Sequence, residues 1–192
     1  MAHLRFDTRA FDADLVVFDK DGTLIDFAGL WSHYTMNAVE ALMASLDDAA
    51  GRRHTLHPDA TLRTELYAML GYDPTTHIFD PQSPVVTAPI STLQTLAAGV
   101  LYRHGWGWLD AELQVQRSFA PVMAAPLPLE MVRATAPLPA LFGALRAAGV
   151  QIAVVTSDDR KPTVAALEWL GVLDQVAFIA CADDDYPHKP AP

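Results

Sequence analysis

Only one cysteine, Cys181, occurs in the 192 residues. A disulfide within the chain is thereby excluded, and a zinc site has no thiolate companions. The simpler role for Cys181 is that of a small buried hydrophobe. Basic residues are also few: 13 Lys and Arg stand against 23 Asp and Glu, a formal net charge of −10. A nucleic acid would meet repulsion almost everywhere, and the few cations form no local basic patch, whereas one pocket can still take a small anion. Long apolar runs are missing too. The stretch from Met1 to Gly22 has acids scattered through it and does not read as a signal peptide. Later apolar stretches are cut by Pro, Gly or charge before they reach the length of a membrane span. A soluble cytoplasmic protein, a monomer or homodimer without membrane contact, is expected. Repeats and low-complexity tracts are absent. What is present, 51% apolar and 19% charged residues, suits one globular protein with a core and room for an inserted subdomain.

Asp14 to Phe18 is a short β-rich apolar run that ends in Asp-Lys-Asp-Gly-Thr, the way a buried parallel strand meets a functional loop. Pro139 opens a helical segment that ends at Gly149, and Gln151 to Thr156 reads as a second strand. A helix with Pro162 in its first turn closes at Gly171, before a third strand over Val176 to Ala180. Helices alternating with buried strands predict an α/β fold with a parallel sheet and right-handed crossovers. Residues 27–131 interrupt this pattern and read as helices: Leu30 to Leu46, Ala60 to Leu70, Ser91 to His104 and Asp110 to Met123. The core is accordingly assigned to residues 1–26 and 132–192. Asp73 to Pro89, with four prolines, reads as an unusually long loop, either functional or a surface excursion.

The strongest signal is Val16 to Asp26. Residues i and i+2 on an extended backbone point the same way, so Asp19 and Asp21 can face one reacting group at the carboxyl end of the sheet, where open α/β sheets bind ligands. One carboxylate can attack phosphorus while the other protonates the leaving oxygen and later activates water. Two acids beside an anionic phosphate repel it unless a divalent cation intervenes, and hard oxygen ligands imply Mg²⁺, with Asp19 and Asp21 as its ligands. Gly22 permits a sharp turn that frees amides toward the phosphate, with Thr23 beside it. Asp and Gly are also common turn residues; the flanking strand favours the functional reading.

Asp19-Lys20-Asp21-Gly22-Thr23 resembles the first motif of the haloacid dehalogenase (HAD) superfamily. That resemblance implies a Rossmann-like parallel sheet core carrying Asp19 as nucleophile and Asp21 as proton shuttle. The family's second motif is a Ser or Thr ending the next core strand, and Val154-Val155-Thr156-Ser157 matches it, which makes Thr156 and Ser157 candidate phosphate-binding residues. By itself a strand ending in Thr-Ser is an ordinary helix cap. The third motif is a Lys that offsets charge, commonly before Pro, and His188-Lys189-Pro190-Ala191-Pro192 fits it, with Lys189 as the catalytic cation. Asp183 to Asp185 resemble the family's loop after strand three, where structural or pocket-rim carboxylates are expected.

The family's fourth motif supplies further acids to the Mg²⁺ site. Nothing after Pro192 provides it, and the family strand order 5-4-1-2-3 would leave strand one as an open edge. A truncated or partly recorded form lacking the last core strands is therefore expected. Asp21 favours a phosphatase or phosphomutase over a dehalogenase. The resemblance thus implies a Mg²⁺-dependent hydrolase of a small phosphorylated metabolite, similar to phosphoglycolate-phosphatase-like members with a type-one helical cap over residues 27–131. The alternatives are a sugar-phosphate phosphomutase and a form that binds phosphate with little turnover. Trp31, His33, Tyr34, His77, His104 and Trp106 are candidates for the rim of that cap, although Trp and Tyr on apolar helices are usually core and isolated His residues usually surface or satisfied.

Overall fold

The computed structural model describes residues 2–50, 60–185 and 189. In chain order its elements are β1 (Ala2–Phe6), β2 (Arg9–Ala13), β3 (Leu15–Phe18), α1 (Phe27–Ala50), α2 (Ala60–Leu70), β4 (Tyr72–Asp73), β5 (Ile78–Phe79), α3 (Pro84–Thr87), α4 (Ile90–Arg103), α5 (Trp108–Ala124), α6 (Leu138–Ala147), β6 (Gln151–Val155), α7 (Arg160–Trp169) and β7 (Phe178–Ala180). They divide into two compact units, Met1–Leu30 with Pro126–Pro192, and Trp31–Ala125.

In the first unit β3, β6 and β7 form a parallel sheet in the order β3-β6-β7. The pleat decides what each side chain does. Phe18, Val154 and Ile179 share one level and one face, as do Val16 and Ile152. That face packs on the apolar stripes of α6 and α7, with Phe142, Leu145, Ala166 and Leu167 in the same cluster. The Phe18 and Phe142 rings lie 5.3 Å apart between centroids. On the opposite face of β3, Leu15 is 49% and Val17 54% exposed, and among the described residues β3 pairs with β6 alone in this sheet. The helix before β6 ends where the sequence predicts, at Gly149, whose φ of +80° lets the chain reverse into the strand. Phe142 is fully buried. Phe142→Ala is expected to lower stability by about 3–5 kcal/mol, read as a lower urea midpoint, because a rigid sheet on one side cannot collapse into the vacated space.

Two features depart from the sequence reading. An antiparallel hairpin, β1 with β2, precedes the sheet, its reversal taken by Asp7 at φ 52°. The proline-rich stretch Asp73 to Pro89 is not an open loop, because β4 and β5 pair and α3 follows. Asp73 organises it by accepting the Thr75 amide at 2.8 Å and the Thr76 hydroxyl at 2.8 Å.

The second unit is helical, with α4 and α5 closely paired and Val39, Leu42, Leu66 and Leu101 fully enclosed. A hydroxyl pair, Ser45 Oγ with Ser118 Oγ at 2.9 Å, links α1 to α5. Among the described residues no helix is long and apolar enough to cross a membrane.

Candidate active site

The site stands where β3 and β6 end. Register pairs Phe18 with Val154 and Val155 with Ala180, so Asp19 follows directly on the end of β3 and Thr156 on that of β6. The turn after β3 is tied by one carbonyl: Lys20 accepts the amides of Leu24 at 2.9 Å and Ile25 at 3.0 Å, and of Thr23 at 3.4 Å. Gly22 sits inside this turn at φ 76°, a conformation that a side chain would strain. Its amide donates to the Ile25 carbonyl at 2.8 Å. The expectation that the turn frees amides toward a phosphate is thus corrected for Gly22, whose N–H is engaged inside the turn along with that of Thr23. The Thr23 carbonyl accepts the Thr135 hydroxyl at 2.5 Å, which anchors the turn to the segment before α6.

The two acids have different surroundings. Asp19 is 42% exposed and receives Lys189 Nζ at 2.5 Å, so the structure brings the first and third motif residues together. His188 and Pro190 to Pro192 lie outside the described residues. Asp21 is only 19% exposed, and its Oδ1 is buried without an aligned hydrogen-bond donor. Burial pushes the Asp21 carboxyl above the ordinary carboxylate range, and the nearby charges of Asp158 and Asp19 add to the rise, against the opposing pull of Lys20. Thr156 is buried; its amide donates to Ala180 at 2.9 Å and its Oγ accepts the Asp158 amide at 3.1 Å, so its hydroxyl proton remains to donate. Ser157 is exposed next to it.

Sequence reasoning overlooked Lys20 and Asp158. Lys20 Nζ lies 2.6 Å from Asp158 Oδ2 and 3.1 Å from Asp21 Oδ1, while the side chain is 1% exposed. Burial alone would lower its pKa, but the two carboxylates outweigh that and raise it, so the ammonium is kept. The available signal was positional: the alternation that buries Val16 and Phe18 on the core side of β3 carries Lys20 to the same side.

Asp183 and Asp184 hold the loop after β7 against the start of α7. Asp184 receives Arg160 Nε at 2.8 Å and an Arg160 Nη at 2.6 Å, and accepts the Cys181 amide at 2.7 Å; Asp183 accepts the Arg160 amide at 2.7 Å. Hydrogen bonds from Arg160 and then from the Cys181 amide hold the Asp184 carboxyl below its ordinary value of 3.8. A carboxyl depressed in the folded state stabilises the fold above the ordinary value, and that contribution disappears as pH falls through the lower, folded value. Urea midpoints of the native chain and Asp184→Asn are therefore expected to differ at neutral pH and to converge as pH falls below 3.8. Cys181 is buried as expected, and burial pushes its thiol up, away from reactivity.

The rim candidates belong to the helical unit and have local contacts there. His33 Nε2 is 2.9 Å from Asn37 Nδ2, His77 Nδ1 2.7 Å from the Tyr72 hydroxyl, and His104 Nε2 3.3 Å from Glu65 Oε2. Trp106 is buried, and Trp31 and Tyr34 line an apolar pocket with Thr35, Leu93 and Phe119.

The sequence profile of the haloacid dehalogenase-like hydrolases matches residues 13–192. The chain belongs to that family. Its fold is also that of solved structures with little sequence in common. A Lactobacillus delbrueckii subsp. bulgaricus protein assigned as a phosphoglycolate phosphatase is 16% identical, with 95% of this chain and 70% of that one covered, at a TM-score of 0.51. A Clostridium difficile protein assigned as a phosphatase is 13% identical, with 93% and 65% covered, at 0.52. A Haemophilus somnus protein assigned as a phosphoglycolate phosphatase is 17% identical, with 93% and 66% covered, at 0.49. The likeness to the Lactobacillus and Clostridium structures is one of fold, and this haloacid dehalogenase-like chain spans about two thirds of the length of all three. No curated protein sequence matches it.

The donor set of this family member suits a hard divalent cation. Asp19 and Asp21 supply two carboxylates on one loop, the Oδ1 of Asp21 being held in an ion pair by Lys20 at 3.1 Å. Among the described residues no cluster of three or more His, Cys, Asp or Glu side chains converges. Two carboxylates still match Mg²⁺, which is commonly held by one or two of them while water and substrate phosphate complete its shell.

Proposed function

We propose that the chain is a Mg²⁺-dependent phosphatase that hydrolyses a small phosphomonoester through an aspartyl-phosphate on Asp19, in the cytoplasm, with the helical insertion read as the family's cap. The observation that carries this reading is the unequal setting of two acids on one loop. Asp19 is accessible and charge-balanced by Lys189, as a nucleophile needs, whereas Asp21 is withdrawn from water with a raised pKa, as a proton carrier needs. Asp19 attacks phosphorus in line; Asp21 gives its proton to the leaving oxygen, then takes one from the water that cleaves the acyl phosphate. Thr156 donates its hydroxyl to an equatorial oxygen, with Ser157 beside it, and Lys189 offsets the accumulated negative charge. Asp19 and Asp21 would hold the Mg²⁺, whose role is to neutralise phosphoryl charge. Gly22 and Thr23 shape the turn that aims both acids.

Chelation is the direct test of the metal. With a panel of phosphate esters, hydrolysis is expected with Mg²⁺, to fall to background with excess EDTA, and to return when Mg²⁺ is restored. Turnover unaffected by chelation would remove the metal from the reading. Transfer of the phosphoryl group to a sugar phosphate in preference to water would make the protein a mutase.

A further inference from the structure

The residue between the two acids has no part in the chemistry outlined above, yet it is the most deeply enclosed charge of the site. Lys20 ranks among the largest fully buried side chains of the protein, in company with Phe142, Leu24 and Ile152. An ammonium enclosed in this way is tolerated only when paired, and its partners come from both catalytic loops. Asp158 belongs to the loop after β6 and meets it at 2.6 Å; Asp21 belongs to the loop after β3 and meets it at 3.1 Å. Asp158 is itself fixed: its amide is hydrogen-bonded to Thr156 Oγ, and its Oδ1 accepts the Asp159 amide at 2.9 Å. The backbone of Lys20 meanwhile ties the first loop through the Leu24 and Ile25 amides. One residue thereby connects the proton carrier to the loop that carries Thr156.

We infer that Lys20 is a positioning residue for the reaction: anchored by Asp158, its ammonium pins Asp21 Oδ1 in the interior and leaves the other carboxyl oxygen to exchange the proton with the leaving group. The inference rests on the phosphatase reading, and it extends it to a residue that contacts neither phosphate nor water in that scheme. Without the ammonium, Asp21 and Asp158 face each other as like charges, and the Asp21 side chain is free to swing toward solvent. Phosphorylation of Asp19 should then suffer in proportion to how much the leaving group needs a proton.

The test compares two leaving groups in Lys20→Met and Asp158→Asn. p-Nitrophenyl phosphate releases a phenolate that needs little protonation, whereas β-glycerophosphate releases an alkoxide that needs it fully. In Lys20→Met, kcat/KM for β-glycerophosphate is expected to fall at least about tenfold more than for p-nitrophenyl phosphate, a part of the loss that removal of general-acid catalysis produces. Asp158→Asn should show the same selectivity at smaller size, and it carries the comparison if Lys20→Met does not fold, because Asp158 reaches the surface. Equal losses on both esters overturn the inference. The tie itself is read without substrate: in urea, the unfolding constant of the double variant should fall about tenfold short of the product of the single effects, and simple multiplication of the two also overturns it. Native protein inactive on every ester, or an Asp19→Asn variant as active as native, overturns the phosphatase reading instead, while the urea cycle still reports on the tie.

Discussion

Asp19→Asn is expected to remove hydrolysis of p-nitrophenyl phosphate in the presence of Mg²⁺, with a fall of about ten-thousand-fold or more, the scale associated with loss of a covalent nucleophile. The amide has the shape of the carboxylate but no charge with which to attack phosphorus. Stability should hardly change. The carboxyl group is 42% exposed and its partner Lys189 37% exposed, and ion pairs so open to water contribute about 0–1 kcal/mol. Steady-state rates and urea midpoints measured on the same preparations separate the two effects. A variant that unfolds, or one that hydrolyses the ester as fast as the native chain, contradicts the assignment of Asp19.

Asp21→Asn is expected to give the second large effect, a fall in turnover of about a hundred- to ten-thousand-fold, the range for removal of a general acid–base. Its character differs from that of the Asp19 variant. On the proposed mechanism Asp19 should still attack p-nitrophenyl phosphate, whose leaving group departs without help, but no base would then activate water against the acyl phosphate. Rapid acid quenching followed by intact-mass measurement should therefore find a phosphoryl adduct that builds up in Asp21→Asn and is absent in Asp19→Asn. A slow variant with no adduct would place the defect in the first half of the reaction only and deny Asp21 its role as base. The pKa direction is consistent with the assignment: burial favours the protonated form of Asp21, the form in which an acid begins the cycle.

The parallel strands were legible because each is a short run of Val, Ile, Phe or Ala between turn residues, and Ala60–Leu70 was legible to the residue because Gly71 follows it. The hairpin of β1 and β2 was not: AHLRF and RAFDA place His3, Arg5, Arg9 and Asp12 among their apolar residues, so neither shows an apolar run. Strands of two residues, such as β4 and β5, are too short for any period to register. In the site, Asp19 and Asp21 announced themselves by their place at a strand end, and Thr156 only through the order of the family's motifs. Lys20 did not, because a Lys flanked by two acids normally reads as solvated; its partner Asp158 lies 138 positions away in sequence, and only the sheet register brings them together. Asp183 and Asp184 were legible only as structural or pocket-rim carboxylates, and their partner Arg160 was not, since a basic residue opening a helix has no obvious claim on a distant loop.

The partition of the first unit, residues 1–30 with 126–192, has a consequence for biosynthesis. The neighbour of β3 in its sheet is β6, which leaves the ribosome only after all of residues 31–125 have been made. At roughly 5–20 residues per second, an apolar strand with Asp19 and Asp21 just beyond its end waits for several seconds without that neighbour. The helical unit, contiguous in sequence, has no such delay, so during translation it can complete its own packing before β3 acquires its partner strand.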